Sequence, residues 1–77
     1  MTEDFNSIEQ QLMECCIMIV SLLIRQYRDN TINISDFKSH TTNKIRYILE
    51  HLEQEPDGVK KNSIQKLLDE YNNIIDY

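Results

Sequence analysis

Glycine and proline are nearly absent from these 77 residues, with one of each, Gly58 and Pro56. A many-stranded sandwich or barrel needs turn residues every ~8–12 positions, so neither fold fits; long helices need few turns. A single glycine also excludes a glycine-rich phosphate loop. Tryptophan and alanine are missing, whereas there are eleven Ile and seven Asn, the residue usage of an A+T-rich genome.

Cysteine is limited to the adjacent pair Cys15-Cys16. In a helix these side chains point ~100° apart, and a bond between them would disrupt the helix. Free thiols buried in the apolar arc of that helix are expected. Histidine is limited to His40 and His51, which lie about 16 Å apart along one helix. Zinc ligands on a helix sit at i and i+3 or i+4, so no metal site is expected. The acidic run Glu50, Glu53, Glu55 and Asp57 lacks the ligand spacing and glycine of a calcium loop. No cofactor and no catalytic constellation is expected.

Thirteen acidic and eight basic residues give a net charge of -5. That charge opposes attraction to nucleic acid and to anionic lipid, both polyanions. The chain is 40% hydrophobic and 27% charged, a globular rather than a disordered balance. Met1-Thr2-Glu3-Asp4 starts negative, whereas a secretory leader starts positive and continues into an apolar run. The densest apolar stretch, Leu12 to Ile24, is broken by Glu14 and Ser21 and falls short of the ~20 residues of a membrane span. A cytoplasmic protein without membrane contact is expected.

The hydrophobic spacing predicts an all-α protein, a three-helix bundle forming a single domain over residues 1–77. The first helix runs from about Asp4 to Arg28. Stepping ~100° per residue, its apolar positions cover roughly 260°, wider than one amphipathic stripe. Phe5, Ile8, Leu12, Cys15, Ile19 and Leu22 also follow the alternating 3-4 spacing of a coiled-coil seam. Asp29-Asn30-Thr31 supplies a turn. Ser35 as N-cap and Asp36 in the first turn start a second helix, from about Ser35 to Glu53, with Phe37, Ile45, Ile48, Leu49 and Leu52 on its core face. Glu55-Pro56-Asp57-Gly58 ends it. The third helix starts near Asn62 or Ser63 and runs to about Asp76, with Ile64, Leu67, Leu68, Tyr71, Ile74 and Ile75 on one face.

Two one-faced helices leave part of a nearly all-round apolar helix uncovered. A domain of this size buries only roughly 60% of its unfolded surface, so self-association is a natural remedy. The chain is therefore expected to form a two-fold homodimer through the first helix, with Met13, Ile17 and Ile24 at the contact and Met18 and Leu22 as the alternative edge.

The second helix carries the most informative polar pattern. His40, Lys44, Tyr47 and His51 share a strip of roughly 60° beside the core face, while Arg46 and Lys38 lie elsewhere on that helix. From Phe37 to Leu49 there are three cations and no acid. The favoured expectation is a non-enzymatic interaction or regulatory protein, with His40, Lys44, Arg46, Tyr47 and His51 facing an unidentified protein partner. The alternative is a small dimeric DNA-binding regulator that presents Thr41, Thr42 and Asn43 of this basic helix to base edges. The acidic balance and the long turn before the helix disfavour it.

Overall fold

The computed structural model describes the backbone from Thr2 to Asp76 and the side chains of residues 8–76. It contains three packed helices, α1 (Thr2–Arg28), α2 (Ile34–Leu52) and α3 (Val59–Ile75), and no strand among the described residues. The chain runs up, down and up. Tyr47 of α2 reaches Glu9 near the start of α1, while Phe37 of α2 meets Tyr27 near its end. Lys60 of α3 pairs with Glu14 of α1, and Arg28 of α1 pairs with Glu70 of α3, so α1 and α3 run parallel.

Each boundary has a local cause. Asn30 sits at φ 62°, the left-handed region that Asn tolerates. Its N–H donates to the Tyr27 carbonyl at 3.1 Å, and the Thr31 N–H donates to the Gln26 carbonyl at 2.9 Å. This is a Schellman stop, and it satisfies carbonyls that the end of α1 would otherwise leave open. The N-cap of α2 is Asn33 rather than Ser35: its backbone is extended, and its side-chain oxygen accepts the Asp36 N–H at 2.8 Å. Ile32 and Ile34 therefore flank a cap, and Ile34 already belongs to the first turn.

The third helix begins at Val59, three to four residues before the expected start at Asn62 or Ser63. The signal at Asn62 is not used, and no side chain caps the helix. Instead Gly58 turns the chain at φ 155°, and its carbonyl accepts the Asn62 N–H at 3.0 Å. Glycine is required there by the backbone angle alone, since a Cβ would meet nothing within 4 Å.

The core is one cluster. Val20 and Ile24 of α1, Phe37 and Ile48 of α2, and Ile64 of α3 are buried, with Met13, Ile45, Leu67 and Leu68 around them. Tyr27, Tyr47, Tyr71, Ile74 and Ile75 close its edges. Thr41 is the one buried polar residue among those described; its hydroxyl donates to the Phe37 carbonyl at 2.7 Å. Leu49, expected on the core face of α2, is 54% exposed and lines, with Ile45, an open groove between α2 and α3. α1 packs most extensively on α2, and α3 lies against the pair more openly. At 27 residues α1 is about 40 Å long, against about 25 Å for α3, so the bundle is elongated, with extents of 43 × 22 × 17 Å. No described helix is long and apolar enough to cross a membrane.

Candidate functional site

Stepping ~100° per residue around α1 divides its apolar arc into two faces. Met13, Val20 and Ile24 are buried under α2 and α3, with Cys16, Ile17, Leu23 and Tyr27 packed beside them. Ile8, Leu12, Met18, Ile19 and Leu22 are 56%, 49%, 63%, 38% and 55% exposed, and Cys15 is exposed among them. These six side chains span about 120° and include no charge. Together they show roughly 450 Å² of surface, within the range of about 300–600 Å² for the largest apolar patch on a monomer, which is often functional.

The exposed row is the coiled-coil-spaced seam. Ile8, Leu12, Cys15, Ile19 and Leu22 repeat at alternating intervals of four and three, and none of them faces α2 or α3. Phe5, the next seam position by sequence, lies outside the residues whose side chains are described.

Of the three residues chosen for the dimer contact, Met13 is 2% and Ile24 is 3% exposed inside the monomer core. Ile17 is half-buried and faces α3. Met13 and Ile24 are therefore not accessible to a second chain without opening the bundle, and the accessible edge is the one with Met18 and Leu22. Periodicity found both edges but not which one α2 would cover.

The cysteines also depart from expectation. Cys15 is exposed on the seam, and Cys16 is half-buried beside Lys44. They point in different directions, as the helix requires, but only one of them turns inward. Burial pushes the Cys16 thiol up from its ordinary value, Lys44 pulls it down, and Cys15 adds to the rise.

The five residues of α2 expected to meet a partner are divided. Tyr47 and His51 stack on each other, ring centroids 4.0 Å apart and 25° between planes. The Tyr47 hydroxyl donates to the Glu9 carbonyl at 3.4 Å, and His51 Nδ1 lies 2.9 Å from the Tyr47 carbonyl oxygen. Partial burial, Glu9 and Cys16 all push the Tyr47 hydroxyl up from its ordinary value. Tyr47 thus serves the α1–α2 contact, with His51 stacked on it within α2. Lys44 is half-buried beside α1, and His40 is exposed. Arg46 is exposed about 100° or more from the others around α2, so it shares no surface with them. Of the three residues proposed for base edges, Thr41 is fully buried and the Thr42 hydroxyl donates to the Lys38 carbonyl at 2.6 Å.

A groove of about 570 Å³ opens between α1 and α3, lined by the apolar Ile17, Met18 and Leu67 and the charged Glu14, Lys60 and Glu70. Its edge at Met18 is shared with the exposed face of α1. Among the described residues no group of three His, Cys, Asp or Glu side chains converges.

Fold and surface together define a three-helix bundle with an open, coiled-coil-spaced apolar face. The chain matches no known protein family, no curated protein and no solved structure.

Proposed function

We propose that this chain is a small, non-enzymatic interaction protein of the cytoplasm, whose working surface is the uncovered face of α1 and whose first partner is a second copy of itself. The observation that carries this reading is the exposed row Ile8, Leu12, Cys15, Ile19 and Leu22. Its spacing is that of a helix seam. A patch of this size is often functional, and two-fold pairing needs only that it complement itself. Beside it on α2, the exposed His40 and the half-buried Lys44 form the polar edge of that surface, available to a further acidic protein partner.

Light scattering across a concentration series tests the reading. The wild type should move from about 9 kDa toward about 18 kDa at micromolar to high micromolar concentration, and Ile19→Glu should remain monomeric and folded, since an unpaired carboxylate opposes apolar contact. A wild type that stays monomeric overturns self-association. Tight duplex DNA binding with a steep salt dependence would favour the regulator reading instead.

A further inference from the structure

We propose that the two copies pair antiparallel along α1, with Ile8 against the partner's Ile19 and Leu12 against the partner's Cys15. The proposal rests on the self-association reading above and adds its direction, its register and a charged contact.

Charge distribution sets the direction. Among the described side chains of α1 the acids Glu9 and Glu14 lie in the N-terminal half and Arg25 and Arg28 in the C-terminal half; the sequence adds Glu3 and Asp4 to the acidic end. Parallel pairing would lay acid beside acid and Arg beside Arg. Antiparallel pairing lays the acidic half of each helix beside the basic half of the other and opposes the two helix dipoles.

Seam chemistry sets the register. Residues 8, 15 and 22 occupy one heptad position and residues 12 and 19 the other, and antiparallel layers pair one class with the other. With Ile8 against the partner's Ile19, the next layer is Leu12 against the partner's Cys15, and both are apolar. A slide of one heptad in one direction sets Ile8 against the partner's Gln26 and leaves that amide facing an aliphatic chain, and a slide in the other takes Ile19 and Leu22 off the partner's exposed row.

This register gives the basic flank of α2 a counterpart. Cys16 and Glu9 occupy the same heptad position, one residue after the seam, and antiparallel helices bring such positions together. The partner's Glu9 then falls opposite Cys16, where Lys44 stands. The apolar faces alone fall short of a standard interface, so the polar flanks must contribute. Two faces of roughly 450 Å² bury roughly 900 Å² before polar flanks such as Gln11, Arg25 and Lys44 are counted, and standard stable interfaces begin near about 1,200 Å² in total.

Disulfide trapping tests direction and register. In protein carrying Cys15→Ser and Cys16→Ser, Ile8→Cys and Ile19→Cys are made separately and oxidised with oxidised glutathione, alone and mixed. The mixture should give a covalent dimer linking position 8 to position 19, and each variant alone should give little. Self-linking of each variant alone means parallel helices and overturns the proposal while leaving self-association standing. A dimer by light scattering with no trapped product overturns the register. A monomer by light scattering overturns both this proposal and the reading beneath it. The charged contact has its own readout at low salt: Lys44→Glu and Glu9→Lys should each weaken dimerisation by about three- to ten-fold, and the double variant should recover most of that loss. Failure to recover overturns the Lys44–Glu9 contact.

Discussion

The rings of Phe37 and Tyr71 stand 5.8 Å apart, centroid to centroid, and Tyr27 also meets Phe37, at 5.4 Å. One fully buried ring therefore touches a residue from each of the other two helices. This contact lies at the end of the bundle where α1 stops and α2 starts, away from Glu9 and Pro56 at the other end. Phe37→Ala should cost about 3–5 kcal/mol, the usual loss for a large buried aromatic. Small domains hold only about 5–15 kcal/mol in total, so the variant should be largely unfolded or melt far below the wild type. Urea unfolding followed by circular dichroism measures this, and a loss below about 1 kcal/mol would show that the ring is not packed as described.

At the α1–α2 turn, the left-handed backbone of Asn30 makes a signed prediction. Asn30→Gly removes the Cβ from that conformation and should leave stability unchanged or raise it by a few tenths of a kcal/mol. Asn30→Val, a β-branched residue in the same conformation, should lose about 1–2 kcal/mol. Equal melting temperatures for the two variants would mean that the stop does not depend on the left-handed residue.

Much of this architecture was legible in the residues. Three periodic segments became three helices, the Asp29-Asn30-Thr31 turn became the stop of α1, and the seam spacing in α1 proved to belong to a single face. The orientation of α1 was not legible. An apolar arc of roughly 260° contains several possible core faces, and only the packing of α2 and α3 chooses among them. Met13 and Ile24 were therefore placed on the outside and Cys15 on the inside, the reverse of their actual positions. The start of α3 was missed for a different reason. Its cap is a backbone angle at Gly58 with no side-chain hydrogen bond, so the usual cap residues carried no signal.

Position on the helix also separates the two thiols. Cys15 is exposed, whereas Cys16 is half-buried and its thiol is pushed up, which lowers its thiolate fraction at neutral pH. In dilute protein at pH 7.5–8, a conventional range about one unit below the ordinary thiol value, a maleimide should label Cys15 well before Cys16. Raising protein concentration should slow Cys15 more than Cys16, because a seam contact covers Cys15 while Cys16 lies only at the edge of the interface. Mass spectrometry of single-label peptides resolves the two sites. Faster labelling of Cys16 would contradict the burial of its side chain.

The sharpest contrast lies between two positions on one helix, twelve residues apart in sequence and on different faces. Ile24 is 3% exposed in the core, and Leu12 is 49% exposed on the seam. A carboxylate at position 24 would be buried without a partner and would also remove a packed side chain. Ile24→Glu should therefore destabilise the monomer by more than about 3 kcal/mol, enough to leave most of a small domain unfolded. Leu12→Glu reaches water in the monomer and should change its intrinsic stability by less than about 1 kcal/mol, close to the usual range for surface substitutions. Its effect should appear in association: a melting temperature that rises with concentration in the wild type and stays flat in Leu12→Glu. Thermal melts at two protein concentrations separate the cases. If Leu12→Glu unfolds the dilute monomer as Ile24→Glu does, then the Leu12 face is part of the core, and the division of α1 into a covered and an open side is wrong.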